Sequence, residues 1–199
     1  MEDQTMTGQE SLALIESMIN KAKNHFSENG YFYLVWGWVV LFCSLFHYFI
    51  GFRLGFESAS NVWVLTWLAI IYQVVYMIRK KKNDRVKTYT EDIIGYIWIV
   101  FALALMITLV IIRQLPNNGF YTVLNPLILA LYGIPTFLCG MILRFNPLKV
   151  GGIGCWVLAM IAAFTDPLHH LLFIAVAMVI AWIIPGYLLR SKFKKENHA

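Results

Sequence analysis

Charge is what this 199-residue chain has least of. Asp, Glu, Lys and Arg together make up 14% of it and hydrophobic residues 59%, whereas soluble domains average about 25% and 45–50%. The interiors of its long apolar runs hold no ionised side chain at all. Proton- and sodium-coupled carriers usually need an intramembrane carboxylate, so ion-coupled transport is disfavoured, while a passive path is not. Cysteine is scarce too. Cys43, Cys139 and Cys155 each lie within an apolar run and form no close pair, which excludes a local zinc knuckle and any disulfide framework. The first thirty residues carry five acids, two lysines and no apolar core, so no cleavable signal peptide is predicted. No serine–histidine–acid order, glycine-rich phosphate loop or cysteine nucleophile context is present, and no cofactor is implied.

What is present is apolar sequence in long pieces. Charged residues bound six of them, at about 31–52, 60–78, 93–112, 120–143, 148–165 and 171–189. A helix crosses the hydrocarbon layer with roughly 20 apolar residues, about 17 at the least. Five segments satisfy this directly. The fifth in order does so only by borrowing "FNPLK" before it or "DPL" after it. The predicted fold is an all-α membrane protein of six transmembrane helices arranged as three hairpins.

The basic residues choose an orientation. "RKKKNDRVK" at 79–87 holds six of the sixteen, and alternate sides of the six-span arrangement collect fourteen against two. Short cytoplasmic loops retain Lys and Arg, which predicts both termini and this loop on the cytoplasmic side. Dropping the fifth span would put the basic tail "RSKFKKENHA" outside. Near anionic headgroups each basic side chain of the loop gains about 1 kcal/mol. Two readings of Lys80, Lys81 and Lys82 stay open: a topology anchor on lipid, or a docking patch for an acidic protein. Nucleic acid is disfavoured, because no aromatic residue interleaves the charges.

Ahead of the spans, "SLALIESMINKAKNHF" places Leu12, Ile15, Ile19 and Phe26 on one face of an amphipathic helix, 1–29, that "SENG" ends. Its other face mixes Glu10, Glu16, Lys21 and Lys23, unlike the basic face of a lipid-seeking helix. It rests on its own bundle, pairs with a second copy, or receives a partner. Within the spans, Gly151, Cys155, Ala159 and Ala163 recur every fourth residue, a stripe of small side chains that lets helices approach closely and places the fifth span centrally. Pro135 and Pro185 are expected to kink the fourth and sixth helices. A faint repeat runs through "WVVLFCSL", "WIVFALAL" and "WVLAMIAA" in the odd spans and through "YGIPTFL" and "WIIPGYL" in the even ones.

Candidate chemistry is confined to one end. Asp166, His169 and His170 in "TDPLHH", with His47 near the end of the first span, would be suitable ligands for a divalent metal or a proton relay if the loops converge. Otherwise they are ordinary interface polar groups. Ser44, Thr66, Gln73, Thr108, Asn125 and Thr136 read as hydrogen-bonding groups between helices.

"ESLALIESMINKAKNHF" followed by "YFYLVWGWVV", together with the basic loop and "VKTYTEDIIGYIW", resembles a family of small bacterial multi-pass integral membrane proteins to which no activity is attached. The resemblance implies a bacterial inner-membrane setting and nothing catalytic. The sequence therefore points to a non-enzymatic interaction or regulatory protein, engaging a cytoplasmic partner through Leu12, Ile15, Ile19, Phe26 and the basic loop. A small passive transporter or channel, alone or as a homo-oligomer, is the alternative. A metal- or proton-responsive protein using the outer histidines is the third. A reporter fused after Ala199 should be active in the cytoplasm; activity in the periplasm would overturn the orientation.

Overall fold

In lipid every backbone N–H and C=O needs a partner within the protein, and a helix supplies all of them locally. The computed structural model describes residues 30–83, 89–115 and 117–197, and every regular element among them is helical. Helix α1 (Tyr31–Phe46) runs on through a π-helical turn (His47–Arg53). After Gly55, at φ 75, a 3-10 segment (Glu57–Trp63) leads into α2 (Val64–Asn83). Then come α3 (Tyr89–Ile112), α4 (Asn117–Ile142) and α5 (Asn146–Ala163). The sixth span is composite: α6 (Pro167–Met178), a π-helical turn (Val179–Ile183) and α7 (Ile184–Asn197). Six helices are long and apolar enough to cross a membrane. The amphipathic segment with Leu12, Ile15, Ile19 and Phe26 lies outside the described residues, as do the side chains of Lys80, Lys81 and Lys82.

The short fifth run reaches its length by taking "NPLK" into its first turn. Pro147 sits there, where its missing N–H leaves no intrahelical bond unmade. "DPL" opens the sixth span instead, with Asp166 at its N-cap. The turn between α4 and α5 is equally compact. Phe145 N–H donates to the Gly140 carbonyl at 2.9 Å and Arg144 N–H to that of Met141 at 3.2 Å, a Schellman closure. Arg144 holds the left-handed position, φ 48, where glycine is usual.

The turn between α4 and α5, with Arg144, marks a basic end, where Gly30 also meets Arg190; the end that carries Arg113 and Asp166 is the far end. The sixth span holds the centre. Over half of its apolar window, 56%, is buried, against 33% for the fifth span and 6% for the second and third. The centrality expected of the fifth span is thus corrected: α5 presents one face inward, while the sixth is enclosed by the first, fourth and fifth spans. The small-residue stripe is also redrawn. Gly151, Cys155 and Ala159 are buried, but Ala163 is exposed and Ala162 is buried in its place. A four-residue step advances about 40° beyond a full turn, so three of them rotate the stripe by roughly 120° and carry it off the interface. A three-residue step brings it back.

Glycine sets the closest contacts. A Cβ on Gly152 would lie 2.8 Å from Phe137 N, and one on Gly140 2.7 Å from Lys149 N, so α4 and α5 meet almost backbone to backbone. A Cβ on Gly151 would reach Ala181 Cα at 2.6 Å, which joins the fifth span to the sixth. Pro185 follows directly on the π-helical turn, whose widened backbone accommodates its ring and its missing donor. Pro135 and Pro126 both lie inside α4. Contacts link spans one with two, three with four and five with six, but the closest pairing, α4 with α5, crosses the boundaries of that hairpin scheme.

Replacing Gly152 with Leu should force α4 and α5 apart and cost upwards of about 1–3 kcal/mol. Ala163→Leu should leave the thermal midpoint in detergent unchanged, and Arg144→Gly should raise stability by about 1 kcal/mol by relieving the left-handed backbone. Equal melting of the two leucine variants would contradict the interface as drawn.

Candidate functional site

The interior of the basic half is filled with rings. Trp182 lies 5.3 Å from Trp98, 5.5 Å from Tyr33, 5.8 Å from Tyr132 and 6.5 Å from Trp36, centroid to centroid. Phe101 extends the cluster, 5.6 Å from Trp98 and 5.1 Å from Tyr132. Four spans contribute, and most of the contacts are tilted or edge-on, the arrangements that ring quadrupoles favour. The indole N–H of Trp182 is buried without a hydrogen-bond acceptor, and that of Trp36 lies towards Tyr132 without a well-formed bond. Their neighbours offer mainly ring faces, which are weak acceptors. The cluster contains no Asp, Glu, His, Lys or Arg and packs the first, third, fourth and sixth spans on one another.

The polar residues of the spans mostly satisfy themselves. Thr108 donates to Ala104 O at 2.7 Å, Thr136 to Tyr132 O at 2.8 Å and Thr66 to Trp63 O at 2.6 Å, all within one turn of their own chain. The expectation of bonds between helices holds for Gln73, whose Nε2 donates to Phe32 O at 3.3 Å, and fails for the threonines. A hydroxyl three or four residues on from a carbonyl reaches it without any partner helix. Across spans, Cys43 Sγ donates to Val62 O at 3.4 Å and Trp156 Nε1 to Ala130 O at 3.1 Å. Ser44 is fully buried, and its Oγ has no partner.

The histidines are dispersed. Trp63 Nε1–H donates to His47 Nδ1 at 3.0 Å, and Phe52 stacks on the imidazole at 5.4 Å, so this ring is held by its own loop. His170 is fully buried, with Nε2 at 3.1 Å from Thr165 O. A carbonyl only accepts, so Nε2 carries a proton, and Nδ1 is buried without a hydrogen-bond partner. His169 is exposed and shares an open hollow with Asp166. No group of three or more metal-ligating side chains occurs among the described residues. Asp166 and His169 come together; His170 points into protein, and His47 is engaged elsewhere.

That hollow, about 660 Å³, is walled by Thr122, Thr165, Asp166 and His169 and adjoins an apolar groove of about 490 Å³ between α4 and α5. The groove is lined by Pro126, Leu127 and Ala130 on one side and Trp156, Ala159 and Met160 on the other. Elsewhere the surface is overwhelmingly apolar, most of all on the second and third spans. Only Thr66, Ala69, Gln73 and Tyr76, at spacings of three and four, turn from solvent on α2, whereas Trp67, Leu68, Ile71, Val74 and Ile78 are exposed. No protein-family model, no curated protein and no solved structure matches this chain.

Trp182→Ala should cost about 3–5 kcal/mol, as large aromatic truncations in a core do. Trp156→Phe, which removes the N–H to Ala130 and part of a half-buried ring, should cost about 1–2 kcal/mol. Chemical denaturation in detergent micelles measures both; a Trp182→Ala cost no larger than that of Trp156→Phe would show that the ring cluster does not hold the bundle.

Proposed function

We propose that the chain is a non-enzymatic interaction protein of a bacterial inner membrane, with both termini in the cytoplasm. The bacterial setting rests on the resemblance of the opening segment, and the sidedness on the distribution of Lys and Arg. Its docking element would be the second and third spans with the basic loop 79–87 between them, aided by the amphipathic face of Leu12, Ile15, Ile19 and Phe26.

One observation carries this reading. Consecutive spans joined by a short loop normally pack on each other, yet among the described residues α2 and α3 are not a closely packed pair. α2 packs mainly on α1 and α3 mainly on α4, with Trp98 of α3 also reaching Trp182 and Tyr33, and both leave most of their apolar surface outside. A partner helix with an acidic cytoplasmic extension would match both the apolar walls and the cationic loop. A passive conduit, the second reading, needs a polar path, and the aromatic cluster across four spans argues against one.

The test is purification of the tagged full chain from membranes, with residues 1–27 present or removed and with Lys80, Lys81 and Lys82 each changed to Gln. A defined set of co-purifying proteins should fall several-fold in each variant. An unchanged set, or solute flux in proteoliposomes of the purified chain, would overturn the reading.

A further inference from the structure

Helices α4 and α5 form a V. At the basic end they touch through Gly140 and Gly152; towards the far end they part around the apolar groove. Pro126, which lacks an N–H, and the small side chains of Ala130, Ala159 and Ala163 leave that space open. The groove and the polar hollow share Thr122 and Ala163, so they are one trough with an apolar floor and a polar mouth. From Thr122 to Ala130 the trough spans eight residues, about 12 Å of helix, close to one leaflet of a hydrocarbon core about 30 Å thick.

We propose that this trough is a binding site for an aminophospholipid of the far leaflet, one acyl chain lying in the groove and the primary ammonium on the Asp166 carboxylate. Asp166 stands at an N-cap, yet its side chain makes no capping bond, and no Lys or Arg lines the hollow. Thr165 spends its hydroxyl proton on Ala162 O at 3.1 Å, which leaves its oxygen to accept. A mouth with one carboxylate and a spare acceptor suits a headgroup with several N–H donors. A primary ammonium has three, and a trimethylated one has none. His169, exposed at the same mouth, can donate to the adjoining phosphate. A transmembrane helix fits this mouth poorly, since its own backbone donors are already used.

The test uses the full chain purified from mixed vesicles of phosphatidylethanolamine, phosphatidylcholine and phosphatidylglycerol with identical acyl chains, with retained lipid counted by native mass spectrometry. Wild type should retain phosphatidylethanolamine several-fold over phosphatidylcholine. Asp166→Asn should reduce that ratio to about one, and Ala163→Phe should remove retention of both. Asp166 and Ala163 are exposed, so both variants should melt like wild type; were Ala163→Phe to fail to fold, Asp166→Asn alone decides. Equal retention of the two lipids by wild type, or an unchanged ratio in Asp166→Asn, overturns the proposal. So does efficient disulfide crosslinking of two chains through Ala163→Cys, which would mean that a second copy fills the groove.

Discussion

Lipid tails are as apolar as leucine, so burying one helix against another brings little hydrophobic gain inside a bilayer. What remains is contact: dispersion between closely fitted surfaces, and weak Cα–H bonds where backbones come within reach. Such contact needs places where no side chain intervenes. Gly140 and Gly152 provide it between α4 and α5, and Gly151 provides it against Ala181 of the sixth span. Gly37 does the same for the first span, where a Cβ would lie 3.1 Å from that of Trp182. The central position of the sixth span follows, because it is the helix that glycines from two directions allow to be approached.

With that frame closed, the aromatic cluster has a definite place. Trp182 belongs to the π-helical turn just before Pro185, and Tyr132 stands three residues before Pro135. Each ring thus sits a turn ahead of a fully buried proline, and the two rings meet edge to face. The fourth span stays one continuous α-helix past its prolines, and the π-helical turn of the sixth is packed among rings. A hinge needs slack, and Trp182, enclosed by four other rings, has little.

Six apolar helices were legible in the sequence because charge excluded from lipid marks their ends: Glu57 and Arg79 bracket one, Asp92 and Arg113 the next. The inward faces were less legible. A small-residue stripe at four-residue spacing looks straight in one dimension, but a helix rotates it, so Ala163 was read as interface and Ala162 was not. The tryptophan repeat misled in another way. Trp38 is exposed, Trp98 lies in the ring cluster and Trp156 bonds to Ala130, three environments for one motif. The even-span motif fared better, since its aromatic and proline are buried in both copies. The meeting of Asp166 with His169, and the diversion of His170 to Thr165, depended on how one turn closes, which spacing alone does not state.

The two ends of the bundle are built on different terms. At the basic end Arg144 occupies a left-handed turn position that glycine would fill at lower conformational cost. A guanidinium there keeps a cation at the tip of the tightest turn, at the same end as Lys149 and Arg190. Local strain of about 1–2 kcal/mol is small beside the cost of dragging such a charge through the bilayer, so charge rather than turn geometry decides that residue. Close glycine contacts and interlocked rings then seal this half. The far end has few cations, a proline-interrupted α4 and helices that part, and its polar residues line a mouth instead of a seam. An end held shut by packing suits anchoring and contact with large partners. An end that opens beside an apolar groove suits small amphiphiles, and a single chain can carry both because buried, interlocked rings lie between them.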